Sequence, residues 1–463
     1  MPVVLRLTWR TPPGVLFAFA AFVVANEGWL AGPLHLSRPA EITLGIVAIA
    51  AILWISEAVP LFVTSLLVLA LELTWLAPSL HERSTLFLNA FFSDVTLLFL
   101  GGFVLSAGLE RTGLDRRLAR AILRRAGATP TRVLLATMAT TALLSMWMSN
   151  TAACALMLGL AASMLDDVPA DDGFRKALLL GIAFAANLGG IATPIGSPPN
   201  AILLRYLEAR DLAPSFAQWM LLALPLLAIL LALVLTLLSR RFPTKLETVT
   251  LGDEALPPIG RAQVLVLSVL LLTIVGWLFG GRVGLTSGTV ALLPVMAFFG
   301  TSLLRTEELR ALPWDVLLLI GGGLALGAAI DQSGLATTLS SRIPTEGLSE
   351  IQILALAAIL ALLLSAIMSN TAAANLLAPM MLGLAGVSLA PLLVVTAFAC
   401  SLAMPLPVST PPNAMAFGFS QGPGGKGALV ARDMVVPGTL VGVLGLAILV
   451  ALATLWFPVI LPH

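Results

Sequence analysis

The residues best suited to chemistry form two pairs of short polar motifs in apolar sequence. Ser149-Asn150-Thr151 is matched by Ser369-Asn370-Thr371, and Ser197-Pro198-Pro199-Asn200 by Thr410-Pro411-Pro412-Asn413. Ser, Thr and Asn are preferred helix N-caps and Pro suits the first helical position, so each motif marks a helix start with free backbone N–H groups and a positive dipole end. Pro194 and Pro407 break the helices before the second pair. Four helix N-termini directed at one cavity would make an anion site. No Lys or Arg falls in 133–174, 177–204 or 343–425, so a dianion there would meet only hydroxyls, amides and dipoles, and bound cations must balance it. Oxygens of Ser145, Ser149, Asn150 and Gly196 in one copy, and of Ser365, Met368, Asn370 and Ser409 in the other, suit a hard ion such as Na⁺. The acidic residues in these segments are Asp166, Asp167, Asp171 and Asp172, which read as loop residues, and Glu346 and Glu350 ahead of the second hairpin. With no carboxylate relay apparent there, sodium is favoured over protons.

The elements that carry these motifs must be membrane helices. The chain has 463 residues, 59% hydrophobic and 11% charged, with a mean hydropathy of +1.01, which excludes a water-facing globular surface. Lys and Arg (25) balance Asp and Glu (24), so there is no electrostatic footprint of a nucleic-acid binder. Cys154 and Cys400 sit in apolar runs, and His35, His81 and His463 are scattered, which leaves no disulfide framework and few ligands for zinc or haem. A Ser/His dyad, paired intramembrane Asp and HExxH are all missing, which argues against an intramembrane enzyme. The reading is an all-α polytopic membrane protein. Runs near 13–31, 42–58, 61–78, 92–110, 214–238, 263–281, 285–304, 313–331 and 435–458 are ordinary spans by length; the first lacks a clean cleavage site and reads as retained. By contrast, 133–165 and 351–387 are too long for one crossing, and 177–208 and 391–420 are interrupted by Pro/Gly-rich patches. Arms of about 24 Å or less reach only the midplane, so 133–165 is expected to be a re-entrant helix hairpin tipped by Ser149-Asn150-Thr151. The second hairpin is expected to enter from the opposite side, with Ser369-Asn370-Thr371 at its tip.

These exceptions belong to an internal repeat. Asp94, Leu97, Leu98, Gly101, Gly102, Leu105, Gly113, Leu114, Leu118 and Ile122 recur 221 residues later, from Asp315 to Ile343, and the two polar motifs follow in the same order. Arg111, Arg116, Arg117, Arg120, Arg124, Arg125 and Arg132 follow the first crossing, whereas Arg342 alone follows its mate. The positive-inside rule therefore places the two connections on opposite sides, an inverted-topology repeat with its site at the midplane. The first connection should be a cytoplasmic amphipathic helix. The glycines at 101–102 and 321–323 are read as close helix packing, and Glu57, beside Pro60, as structural. Met146 and Trp147 should pack beside the tip, Asp94 and Asp315 should be N-caps, and Trp29, Trp75, Trp219 and Trp456 should form the interfacial belt.

Together with Ser56-Glu57-Ala58-Val59-Pro60-Leu61 and the following Thr64, these ordered motifs resemble the divalent anion/sodium symporter family, which carries dicarboxylates, citrate and sulfate. The resemblance covers nearly the whole chain. It implies about eleven transmembrane helices plus the two hairpins, a homodimer in the bacterial inner membrane, and an elevator mechanism. Residues 1–128 and 251–346 would form the scaffold, and 129–250 and 347–463 the transport domain. Asn150, Thr151, Asn370 and Thr371 would hold substrate carboxylates, with Ser369 and Pro411 nearby. One sodium site would use Ser145, Ser149, Asn150 and Gly196, and the other Ser365, Met368, Asn370 and Ser409. Ser365 stands where Thr is expected, and Ser409 where a smaller residue is. The activity implied is Na⁺-coupled uptake of a C4-dicarboxylate such as succinate, fumarate or malate. A sodium-independent dicarboxylate exchanger, or a citrate or sulfate carrier, is the alternative.

Overall fold

The computed structural model describes residues 11–28, 36–80, 84–250, 258–340, 347–382, 384, 386–422 and 424–461. Trp29, the three histidines, Arg342 and Ile343 lie outside the described residues, which are helical and hold no strand. The repeat supplies twelve of the helices. The first copy gives α1 (Asp94–Thr112), α2 (Pro130–Ser145), α3 (Asn150–Leu165), α4 (Gly173–Gly189), α5 (Pro198–Glu208) and α6 (Phe216–Arg241). The second gives, in the same order, α7 (Trp314–Gln332), α8 (Glu350–Ile367), α9 (Asn370–Met381), α10 (Leu389–Cys400), α11 (Pro411–Gln421) and α12 (Ala431–Leu455).

Packing follows a two-fold relation. Within each copy the hairpin arms lie against the following broken helix: α2 and α3 pack on α4, and α8 and α9 on α10. Between copies, α3 and α4 pack on α11, while their mates α9 and α10 pack on α5. Neither copy therefore buries its polar break alone; each covers the other's. Counted as one crossing each, α1, the broken pair α4–α5, α6, Arg261–Val283 and Ser287–Gly300 make five between the start of α1 and the start of α7. The hairpin adds an even number whichever way it lies. An odd total puts the starts of α1 and α7 on opposite sides, in agreement with the arginine bias.

The structure extends the repeat beyond the sequence matches. Trp54 donates its indole N–H to Leu61 O at 3.2 Å, and Trp277 donates to Ser287 O at 3.0 Å, each locking a helix to the next across a tight turn. The pairs Arg38–Ser56 with Leu61–Leu80, and Arg261–Val283 with Ser287–Gly300, are thus mates that pack on α7 and α1 respectively.

Eight helices among the described residues are long and apolar enough to cross a membrane. The runs expected at 13–31 and 285–304 form helices of 16 and 14 residues, Thr11–Asn26 and Ser287–Gly300. The first arm of the second hairpin, at 18 residues, is two residues longer than the matching arm of the first. Leu114–Leu123 buries Leu114, Ala119 and Leu123 and exposes Arg116, as an amphipathic interfacial helix should. Glu57 ends its helix in the left-handed region (φ 49°), a structural role. Asp94 is a correction: Ser93 is the N-cap of α1, and the Asp94 carboxylate instead accepts from Gly288 N at 2.9 Å and Thr286 Oγ1, capping the neighbouring helix. Asp315 also falls inside its helix, after Pro313. Trp219 is fully buried and donates to Ile191 O, so it belongs to the core and not to an interfacial belt.

Candidate functional site

Each hairpin turns where the sequence reading placed it. Ser149 and Ser369 adopt extended backbone (φ/ψ −62°/144° and −64°/145°) and accept from the amides of Ala152 at 3.1 Å and Ala372 at 3.2 Å. α3 and α9 thus start as capped half-helices with Asn150 and Asn370 at their first positions. At the second motif the copies differ. Thr410 caps α11 through Asn413 N, whereas Ser197 makes no such bond to α5.

Behind each tip lies the same oxygen cluster. Ser145 Oγ is 2.7 Å from both Asn150 Oδ1 and Ala186 O; Ser365 Oγ is 2.7 Å from Asn370 Oδ1 and 2.6 Å from Cys400 O. One hydroxyl carries one hydrogen and cannot serve two acceptors at once, so with the amide oxygen turned inward each cluster holds more acceptors than hydrogens. In the first copy Gly196 O also approaches, 3.2 Å from the same amide atom of Asn150. Two arrangements relieve it: the Asn150 amide turns so that its two N–H groups donate to Ser145 Oγ and Gly196 O while the Ser145 hydroxyl donates to Ala186 O, or a cation sits among four oxygens. Oxygen-only donors with excess lone pairs are what a hard cation requires, so the residues present fit Na⁺. Gly190 closes the wall, since a Cβ there would run into the Asn150 amide.

The breaks themselves are held by buried asparagines. Asn200 Nδ2 donates to Gly190 O and Thr193 O, both at 2.8 Å; Asn413 Nδ2 donates to Met404 O and Leu406 O, both at 3.0 Å. Asn187 joins the copies by donating to Thr410 Oγ1 at 3.0 Å and Asn413 Oδ1 at 3.1 Å. Its mate by position is Ser401, too short to reciprocate, and Ser401 Oγ and Asn200 Oδ1 have no partner among the described residues.

Of the residues singled out from sequence, Ser145, Asn150 and Gly196 come together, as do Ser365 and Asn370. Ser149 caps the tip and faces a cavity. Met368 is buried at the end of α8, and its amide bonds Leu364 O. Ser409 Oγ accepts from Leu406 N within the second break. Thr151 and Pro411 are exposed and Thr371 half-buried, with no side-chain hydrogen bond among the described residues. The carbonyls of Ala186 and Cys400 were missed, because nothing in an Ala or Cys side chain signals a ligating backbone. Arg175 was also missed: fully buried, it donates to the carbonyls of Leu165, Val168, Pro169 and Gly424, closing the C-terminal end of α3 and tying it to the loop after α11. Trp147 packs as expected, in a parallel stack with Phe216 and Trp277.

Two cavities flank the hairpin bundle at equivalent places on α1 and α7. One, of about 390 Å³, is lined on α1 by Phe103, Ser106, Ala107, Glu110 and Arg111, and faces Ser149 at the first tip. The other, of about 300 Å³, is lined on α7 by Leu324, Gly327, Ala328, Asp331 and Gln332, the repeat mates of those five residues. It faces Arg205, Tyr206 and Ala209 at the end of α5, with no residue of the second tip in its lining.

The profile of the citrate transporter family matches residues 51–399. The sodium-dependent dicarboxylate transporter SdcS of Staphylococcus saprophyticus is 33% identical over 93% of this chain and 88% of its own. The inorganic phosphate transporter PHO87 of Saccharomyces cerevisiae is 32% identical over 90% of this chain. This chain spans 48% of PHO87's length and 50% of that of an uncharacterized Schizosaccharomyces pombe transporter that is 33% identical to it. The crystal structure of the Alcanivorax borkumensis YdaH transporter shares the fold, with a TM-score of 0.57 and 15% identity over 81% of this chain and 87% of that one. The chain is an integral membrane transporter that belongs to the citrate transporter family, within the divalent anion/sodium symporters its motifs resemble.

Proposed function

We propose that this protein imports C4-dicarboxylates such as succinate, fumarate or malate, coupled to Na⁺, by an elevator movement of the hairpin bundle. The observation that carries the reading is the twinning, behind each capped tip, of one cluster of a serine hydroxyl, an asparagine amide and a backbone carbonyl. Two positive helix starts at separate tips suit a linear dianion with one carboxylate at each, better than compact sulfate or phosphate. Cations in the clusters behind Asn150 and Asn370 would supply the positive charge that the site's sequence withholds. The amide side chains and hydroxyls of Asn150, Thr151, Ser369, Asn370 and Thr371 would orient the anion, with Pro411 beside them. SdcS, a sodium-dependent dicarboxylate transporter by name, favours this assignment over PHO87's phosphate.

The elevator rests on broken symmetry. α5 and α9 pack on α7, while their mates α11 and α3 make no comparable packing with α1. The bundle of 129–250 and 347–463 leans towards α7 and leaves the first tip facing the open notch on α1, on the arginine-rich side. A body that slid to the mirror position would put the second tip at the α7 notch. The deciding experiment is radiolabelled succinate uptake into proteoliposomes with an inward Na⁺ or K⁺ gradient, vesicles empty or preloaded with succinate, and citrate, sulfate and phosphate as competitors. Uptake into empty vesicles only with Na⁺ supports the proposal. Uptake only into preloaded vesicles, indifferent to Na⁺, makes the protein an exchanger and removes the role given to the clusters.

A further inference from the structure

The hairpin bundle holds α7 along a single row. Leu319, Gly323, Gly327 and Asp331 stand four residues apart, so they share one face of the helix over about 18 Å. Asn375 of α9, fully buried, donates to Leu319 O at 3.3 Å, and its amide lies where a Cβ on Gly323 would be. Tyr206 of α5 donates to Gly323 O at 3.1 Å and sets its ring where a Cβ on Gly327 would be. Arg210, just past α5, donates to Asp331 at 2.7 Å. The mates of this row on α1 are Leu98, Gly102, Ser106 and Glu110, and there Ser106 turns its own hydroxyl to Glu110 at 3.1 Å. At the offsets that relate the Ser-Asn-Thr and Pro-Pro-Asn motifs, the mates of Asn375, Tyr206 and Arg210 are Ala155, Phe419 and Pro423. None of those three side chains carries a hydrogen-bond donor.

We propose that Asn375, Tyr206 and Arg210 form a one-sided latch on α7, which makes the position seen here, with the first tip at the α1 notch, the resting position of the bundle. The proposal rests on the sliding movement proposed above. A bundle in the mirror position would turn Ala155, Phe419 and the stretch after α11 towards α1, and would regain none of the three bonds. The bonds are also readily released. Leu319 O and Gly323 O are helix carbonyls that already accept from the amides four residues on, so the bundle takes only their spare lone pairs. Ser65 Oγ of the Leu61–Leu80 helix, 3.4 Å from Leu319 O, remains at that carbonyl when Asn375 leaves. Asn375 Oδ1 has no partner among the described residues, so its amide is held at one end only. No carbonyl of α7 loses its only donor on release, and the latch biases the movement without blocking it.

Thiol labelling can read the position of the bundle, because Cys154 and Cys400 are both fully buried. Leu324→Cys places a reporter in the buried wall of the α7 cavity, and Ala107→Cys places one in the α1 notch. Rates of labelling by a water-soluble maleimide are measured in lipid nanodiscs for each reporter, alone and combined with Tyr206→Phe, Asn375→Ala or Arg210→Gln. Each replacement removes a bond of the latch, and the first two install the repeat mate. Each should raise the rate at 324 about fivefold and lower the rate at 107. Exchanging the charges, Arg210→Asp with Asp331→Arg, should return the rate at 324 towards that of the reporter alone, which loosened packing would not do. An exchange that labels as fast as Arg210→Gln removes the ion pair from the latch. If none of the three replacements changes either rate, while Na⁺ and succinate do, the latch is overturned and the sliding movement stands. Rates that respond to neither ligands nor replacements overturn both. The expected shifts in a protein that takes up no dicarboxylate would sink the functional reading and leave the latch standing.

Discussion

The notches on α1 and α7 are built from mates: Phe103 and Leu324, Ser106 and Gly327, Ala107 and Ala328, Glu110 and Asp331, Arg111 and Gln332. They receive different partners. At α1 the tip of the first hairpin stands off across about 390 Å³, with Ser106 Oγ donating to Glu110 at 3.1 Å and Arg111 paired to Glu308 at 3.5 Å. At α7 the end of α5 comes in instead, with Tyr206 in the space a Gly327 side chain would occupy and Arg210 on Asp331. The two notches are mates in position, while the helices that face them are not. The residues differ to match: Gly327 where Tyr206 presses on α7, Ser106 where the first tip stands off α1.

The largest test of that difference lies at the tips. Asn150→Ala and Asn370→Ala should each cut uptake by about 10- to 100-fold, the loss of a hydrogen bond to a charged group, while the purified protein keeps its monodispersity. Normal uptake by either variant would remove that tip from the site. Next is the notch: Gly327→Ala forces a methyl into the Tyr206 ring at about 1–3 kcal/mol, so uptake should fall about tenfold, with partial rescue by Tyr206→Ala. The mate Ser106→Ala should lie near wild type, and equal effects at both positions would mean that the bundle does not lean. Ser145→Ala and Ser365→Ala each remove one ligand oxygen, and each should lower apparent Na⁺ affinity about fivefold, about 1 kcal/mol. An effect at only one of them would leave a single cation site. Smallest is a pH invariance. The Arg305 N–H donates to Glu308 at 2.8 Å and holds its carboxyl below the ordinary glutamate value. A depressed acid keeps its pairing above its unfolded value and loses it only as pH falls through the folded one. Glu308→Gln should therefore alter the salt sensitivity of uptake equally at about pH 8 and about pH 5.5.

Much of the architecture is legible in the sequence. A motif such as Ser-Asn-Thr in a membrane helix is ambiguous once, and becomes a helix-hairpin tip when it recurs in register with Pro-Pro-Asn. Arginine bias set the sense of the two copies because the lipid interface discriminates charge without reference to tertiary contacts. The N-terminal extension of the repeat escaped notice because only Trp54 and Trp277 and their carbonyl partners preserve it, and a backbone acceptor leaves no residue signature.

The sequence by itself determined membrane insertion, the inverted repeat, the capped tips and the shortage of fixed cations around them. These follow from composition, capping chemistry and period, all local properties. Tertiary structure decided which backbone oxygens complete the clusters, since Ala186 and Cys400 are chemically silent until α4 and α10 pack behind the hairpins. It also decided that Glu72 lies sealed from water and unpaired, although in the linear chain it is one acid among leucines. Burial and the absence of a donor belong to the neighbours that a residue acquires on folding, so no local property of the chain announces them.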